Sequence, residues 1–141
     1  MKALLVLLLL GGAGYGGYWF LTRADSEAVA TYKAYAKAMA TRDFEKAKSL
    51  AVGEPADKAD QIARAFAILK TGWSADSVRY SVESEDTSGD KVEIVGIESG
   101  FYSSDVGSGG HAARTRQKVT VEKQGDAWKV TRFEEEQIGG R

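Results

Sequence analysis

"YKAYAKAMATRDFEKAKSL", residues 32–50, decides how this chain folds. Tyr32, Ala36 and Met39, continued upstream by Val29, recur at steps of three and four with Tyr35 beside them, so one stripe of a helix faces a core. Asp25 or Ser26 supplies the N-cap, and the helix runs to about Ala40. Arg42-Asp43 interrupts it, and Asp43 caps a short second helix with Phe44, Ala47, Leu50 and Ala51 along one side. Gly53-Glu54-Pro55 is expected to end that helix, because glycine accepts the left-handed C-terminal position and the only proline cannot continue it. A third helix is expected from Asp57 or Asp60, with Ile62, Ala65, Phe66, Leu69 and Trp73 as its apolar stripe and Gly72 as a stop signal.

Beyond Trp73 the period changes to two. Val78, Tyr80 and Val82 alternate with polar residues up to a turn at Thr87-Ser88-Gly89-Asp90. The next run begins with Val92 and Ile94 and then shifts to Val95, Ile97, Ser99 and Phe101, which reads as a β-bulge beside Gly96. A glycine-rich loop is expected over residues 103–113. Val119 and Val121 mark a third strand, Gln124-Gly125-Asp126 a tight turn, and Trp128 and Val130 a fourth strand ending near Glu136, with residues 138–141 a loose tail. Alternation then sends Tyr80, Ile97, Phe101, Val119, Val121 and Trp128 to the core. Glu83, Glu93, Glu98 and Glu122 fall on the solvent phase. Glu134-Glu135-Glu136 is read as a solvated strand end.

The N-terminus has a different character. No residue from Ala3 to Leu21 is charged, and as a helix this stretch would be about 28 Å long, near the ~30 Å hydrocarbon core of a bilayer. Tyr15, Tyr18, Trp19 and Phe20 cluster at its far end, where amphipathic rings favour the headgroup layer. Residues 1–23 are therefore expected to be a transmembrane signal-anchor, with the bilayer as partner through residues 3–21. A cleaved signal peptide is the alternative, with Lys2 as n-region and Gly11 and Ala13 at the cut. The short N-terminal flank before the apolar run places the remaining domain, residues 24–137, on the extracytoplasmic side, with an N-out protein carrying a cytosolic domain as the alternative orientation. Gly12 and Gly16, with Ala13 and Gly17, set small residues at four-residue spacing and form a candidate helix-packing face for self-association or a protein partner.

Composition bounds the chemistry. With no cysteine there is no disulfide, thiolate metal site or cysteine nucleophile. The 19 basic and 20 acidic residues are interleaved, as in Arg42-Asp43-Phe44-Glu45-Lys46, which argues against a nucleic-acid partner. His111 is the single histidine, set among glycines, and lacks the companions that a metal site or a triad needs. No catalytic residue, cofactor or metal is expected from these patterns.

Three helices followed by a bulged four-stranded antiparallel meander make an α+β order in which the sheet curls around a long helix. Residues 32–50, with the closing hairpin "KVTVEKQGDAWKVTRFE" (residues 118–134), resemble the cystatin-like α+β roll of the nuclear transport factor two and ketosteroid isomerase superfamily. The resemblance implies a cone between helix and sheet, which enzymatic members line with acids and tyrosines. No catalytic residue of that superfamily maps onto this chain. Tyr32, Tyr35, Phe66, Trp73, Tyr80, Phe101 and Trp128 are the candidate lining of a ligand pocket in that cone. The expected function is a non-catalytic, membrane-anchored binding or accessory domain of the cell envelope. The alternatives are a cavity enzyme or lipophilic small-ligand carrier of the same fold, and an accessory subunit of a membrane complex acting through the glycine-rich anchor. An empty cone deeper than roughly a few hundred Å³, with at least one buried acid, would favour the enzyme, and a filled cone the binding module.

Overall fold

A computed structural model of the chain describes residues 25–69, 73–104 and 110–140. The expected anchor, residues 1–23, and its Gly12, Ala13, Gly16 and Gly17 face lie outside the described residues. Among the described residues no helix is long and apolar enough to cross a membrane. Three helices, α1 (Glu27–Ala40), α2 (Phe44–Ser49) and α3 (Glu54–Leu69), precede four strands. The strands are β1 (Trp73–Ser88), β2 (Lys91–Ser104), β3 (Gly110–Gln124) and β4 (Ala127–Gly140). They form one antiparallel meander in the order β1-β2-β3-β4.

The helix starts follow local chemistry. Ser26 Oγ accepts from the Val29 amide at 3.2 Å and Asp43 from the Lys46 amide at 3.4 Å, so each cap takes up an amide that the first turn leaves without a partner. Arg42, at φ 64°, turns the chain between α1 and α2. The third helix begins earlier than its acidic residues suggested. Gly53, at φ 69°, leads directly into Glu54, and Pro55 sits in the first turn, where its missing N–H has no intrahelical acceptor to lose. Pro55 thus opens α3 and does not end α2, which has already stopped at Ser49 with Leu50 as its C-cap before the chain reaches Gly53. Between α2 and α3 the chain lies along β4: the Val130 amide donates to Leu50 O at 2.8 Å and the Val52 amide to Val130 O at 3.0 Å. This short parallel pairing covers part of an edge that would otherwise be open.

The core lies between the helices and one face of the sheet. Val29, Tyr32, Tyr35 and Ala36 of α1 pack with Val92, Ile94, Val119, Val121 and Val130 of the strands. Helix α1 is pinned at its start by Ser26 Oγ donating to Glu85 at 2.7 Å and by Trp128 Nε1 donating to Glu27 at 3.1 Å. Val121 is fully buried as expected, whereas Trp128 is only half-buried against the core. Lys129, on the expected solvent phase, reaches back so that its ammonium donates to Ser49 O.

The phase shift expected within β2 does not occur. Val92, Ile94, Gly96 and Glu98 share the helix-facing side, opposite Val121, Val119, Gln117 and Thr115 in unbroken register. The irregularities lie on the flanking strands, between Ala75 and Ser77 and between Val82 and Ser84 of β1, and between Val130 and Arg132 and between Gln137 and Gly139 of β4. Gly96 is therefore not a bulge but a place of close approach. A Cβ there would lie 2.8 Å and 2.9 Å from Cζ and Cε2 of Tyr32, inside normal contact. Ile97 is buried on the other side of the sheet, and Phe101, on that same side, is 43% exposed.

The loop and tail were also expected to be longer than they are. β2 runs to Ser104 and β3 starts at Gly110, so His111 is a strand residue opposite Tyr102. β4 continues to Gly140, with Gly139 and Gly140 paired to Arg114 and Ala113, where a loose tail was expected.

Because the Tyr32 ring occupies the space above Gly96, Gly96→Ala should overpack the sheet. Urea denaturation should report a loss of about 1–3 kcal/mol, and an unchanged midpoint would mean that the ring does not lie on this glycine.

Candidate functional site

Helix packing on Gly96 places a polar group deep in an otherwise apolar layer. Gln117, the residue paired with Gly96, is fully buried, and its amide is satisfied on both sides. Tyr32 Oη donates to Gln117 Oε1 at 2.7 Å. Gln117 Nε2 donates to Glu98 Oε2 at 3.2 Å and to Glu135 Oε2 at 3.1 Å. The amide has one consistent orientation, because reversing it would turn its carbonyl oxygen towards two carboxylates.

Strand alternation brings the acids here. Glu98 follows Val92 and Ile94 on the inward phase of β2 and is 7% exposed. Glu135 reaches the same side because the β4 irregularity between Val130 and Arg132 puts Phe133 and Glu135 opposite Val119 and Gln117. Its neighbours Arg132 and Glu134 turn outward and pair with each other at 2.7 Å. Glu135 as a residue is exposed, but its carboxyl turns onto Gln117 in a partly buried bond.

These groups form one end of a cavity of about 220 Å³. The apolar walls are Tyr35, Ala36 and Met39 from α1, Ile62 and Phe66 from α3, and Phe133 from β4. Glu98, Gln117 and Glu135 supply the polar end, and Lys58 of α3 also lines the space. The frame around it is braced. The Tyr35 ring meets Phe133 edge to face at 5.1 Å, and its hydroxyl donates to Pro55 O at 3.0 Å, tying α1 to β4 and to the start of α3. Phe44 stacks on Phe66 at 5.7 Å, and the Arg42 guanidinium lies 5.3 Å from the Phe66 ring centre.

The proposed aromatic lining divides accordingly. Tyr35 and Phe66 form cavity wall. Tyr32 stands behind the polar end, with Tyr80 against it edge to face at 6.1 Å. Trp128 packs beside the start of α1, and Phe101 lies on the far face of the sheet, so neither lines the cavity. The Trp73 side chain lies outside the described residues. The sequence reading missed Glu98, Gln117 and Glu135. An unbroken two-residue phase from Val92 would have placed Glu98 inward, and the phase of Val119 and Val121 carried two residues back would have placed Gln117 there.

Electrostatics sort these groups into donors and acceptors. Burial pushes the Tyr32 hydroxyl above its ordinary value, and the charges of Glu98 and Glu135 push it further. Burial, with the Glu135 charge, pushes Tyr35 up to about 12. Both hydroxyls therefore stay protonated and serve as donors. Desolvation also raises the Glu135 carboxyl, the Gln117 hydrogen bond lowers it, the Glu98 charge raises it and Lys58 lowers it. A carboxyl raised on folding holds its proton more tightly in the folded state, so its contribution is most favourable at low pH and is lost as pH rises through the folded value. Glu135→Gln keeps an acceptor for Gln117 but removes that loss. In urea titrations between about pH 4 and about pH 7, stability of the variant relative to the unmodified protein should rise with pH above the ordinary value of 4.5. A difference that stays flat or falls would contradict the burial of this carboxyl.

No protein-family profile matches the sequence, and no curated protein sequence does. Solved structures do. A ketosteroid isomerase-like protein from Erwinia carotovora atroseptica SCRI1043 superposes with a TM-score of 0.65 at 15% identity, covering 80% of this chain and 95% of that one. A putative calcium/calmodulin-dependent protein kinase type II association domain from Thiobacillus denitrificans ATCC 25259 gives 0.56 at 11% identity, covering 78% and 94%. At these identities the likeness is one of fold. The described part of the chain is an α+β roll of the ketosteroid isomerase-like, nuclear transport factor two-like type.

Proposed function

We propose that the domain binds a small, largely apolar ligand in the cavity between α1, α3 and the sheet, and that it acts as a carrier or sensor of that ligand without transforming it. The observation that carries this reading is the cavity itself: about 220 Å³ of space walled by aliphatic and aromatic side chains, with a polar group held at one end. Of the readings drawn from the sequence, this favours the small-ligand carrier over a domain whose cone is filled. An enzyme of the kind named by the first structural neighbour would combine a carboxylate base with hydrogen-bond donors aimed at the reacting oxygen. Here the Tyr32 hydroxyl is committed to Gln117 and the Tyr35 hydroxyl to Pro55 O, which favours binding over catalysis.

The uncharged run from Ala3 to Leu21 belongs to the same proposal, as a tether that holds the carrier at the outer face of a membrane. It would concentrate the domain where apolar small molecules partition. A single-pass anchor should leave the protein in the membrane fraction with Met1 or Lys2 retained by mass analysis. A mature chain starting near Gly14 and recovered in solution would replace the tether with a cleaved signal.

Ligand binding is tested with 2-phenylethanol, a neutral probe of suitable size. Line shifts in a carbon-detected NMR spectrum should map to Phe66, Met39 and Phe133. Ile62→Trp, which places an indole in the cavity, should weaken binding at least ~10-fold, the equivalent of ~1.4 kcal/mol. Binding that is unaltered by Ile62→Trp, or shifts confined to the far face of the sheet, would remove the cavity from the account.

A further inference from the structure

The apolar part of the cavity is richer in rings than a pocket for an aliphatic guest requires. Tyr35 of α1, Phe66 of α3 and Phe133 of β4 bring one ring each from three elements to a cavity of about 220 Å³. We propose that its occupant is a monocyclic aromatic molecule, selected over saturated and fused-ring molecules of similar polarity. This rests on the ligand-binding reading above and adds the ring class of the ligand. The preference arises in the apolar walls and is independent of the charge at the polar end.

Ring chemistry is the first argument. A saturated guest gains the burial of its surface, and any apolar wall supplies that. An aromatic guest gains more, because rings carry a negative face and a positive edge and prefer edge-to-face or offset contact. The cavity's own frame shows that preference, with Tyr35 and Phe133 meeting edge to face at 63°. Met39 adds a thioether, which is itself drawn to the edges of rings. With Tyr35, Phe66 and Phe133, this gives the guest four side chains that distinguish an aromatic ring from an aliphatic one, against Ile62 and two alanines that do not.

Fixed geometry is the second. Ring contacts depend on angle as well as distance, so they favour a guest most where the wall rings are held in place before it arrives. All three rings are held. The Tyr35 hydroxyl donates to Pro55 O at 3.0 Å and its ring rests against Phe133, so these two rings fix one another. Phe66 is stacked on Phe44 at 5.7 Å and within 20° of parallel, with the Arg42 guanidinium 5.3 Å from its centre.

Size is the third. An engineered apolar cavity of about 150 Å³ in another protein admits benzene, and pockets for drug-sized ligands are about 300–1,000 Å³. At about 220 Å³ the present cavity takes one ring with a short arm, and a fused pair with the same arm overfills it. The helices agree with that size. Tyr35 and Met39 are four residues apart on α1, and Ile62 and Phe66 are four apart on α3, so each helix offers two wall side chains spaced about 6 Å along its axis. That is wall for a single ring.

The test uses the full-length chain in neutral detergent with 2-phenylethanol, 2-cyclohexylethanol and 2-(1-naphthyl)ethanol, which share one hydroxyl arm and differ in the ring. Free ligand is measured in the aqueous phase by dialysis, so that partition into detergent does not enter the dissociation constants. A cavity that selects by burial alone would favour the saturated ring over the single aromatic one, because the saturated ring is the more apolar. The ring-lined cavity should reverse that order and bind 2-phenylethanol at least ~5-fold more tightly than 2-cyclohexylethanol, the scale of one or two aromatic pair contacts. The naphthyl compound should bind more weakly than 2-phenylethanol. Phe66→Leu and Phe133→Leu keep an apolar side chain and remove the ring. Each should cut 2-phenylethanol affinity by about 5-fold and leave 2-cyclohexylethanol within about twofold, whereas a damaged fold would weaken both alike. Equal or tighter binding of 2-cyclohexylethanol, tighter binding of the naphthyl compound, or equal losses for both single-ring ligands in the two leucine variants would overturn the aromatic assignment and leave the ligand-binding reading intact. Binding of none of the three would overturn both.

Discussion

One contact sets the distance between the helical layer and the sheet: the Tyr32 ring laid over Gly96, with its hydroxyl on Gln117. A side chain at position 96 would lift α1 away from the strands. A polar residue buried at position 117 would be costly without a donor from the helix. The two features need each other. Glycine lets the ring descend, and the ring's hydroxyl satisfies the amide oxygen that its descent shields from water.

Much of the remaining architecture follows from that anchor. With α1 fixed on β2 and β3, Tyr35, one step along the same face, meets Phe133 of β4 and holds the Pro55 carbonyl at the start of α3. Helix α3 is then braced by the stacking of Phe66 on Phe44. Small residues on α1, Ala36 and Ala40, leave space between α1, α3 and the strands that larger residues would fill, and that space is the cavity. The polar network at its end is rigid for the same reason. Every donor on Gln117 is used, and its acceptor is held by the residue that seats the helix.

The helices and turns were readable because their signals are local. Ser26 and Asp43 cap the helices they were expected to cap, and Gly89 and Gly125 take the positive φ of the turns in which they were placed. The order of helices before an antiparallel meander followed from the change of period after Trp73. The site was harder to read because its polar residues depend on strand pairing. Gly96 looks like a bulge when β2 is read alone, and the apparent shift to Ile97 and Phe101 then drives Glu98 to the solvent side. The actual irregularities lie on β1 and β4, and the one between Val130 and Arg132 turns Glu135 inward from a run of three glutamates that looks uniformly solvated. Pro55 misled in a related way: it reads as a helix stop, but α2 ends at Ser49 and Pro55 sits in the first turn of α3, where its carbonyl takes the buried hydrogen bond from Tyr35.

A helix seated on a glycine, a buried glutamine and two inward acids together give the fold a cavity with a defined polar end. The account depends most on Gln117 being buried and held from both sides, because the helix seat, the inward acids and the cavity all meet there. Hydrogen exchange of the Gln117 side-chain amide, followed by NMR with amide-selective labelling, tests this directly. The account predicts two inequivalent Nε2 protons, both exchanging far more slowly than those of Gln124, which is exposed at the end of β3. Exchange at the rate of Gln124 would contradict it, since a glutamine in contact with water could neither seat α1 nor gather the two carboxylates.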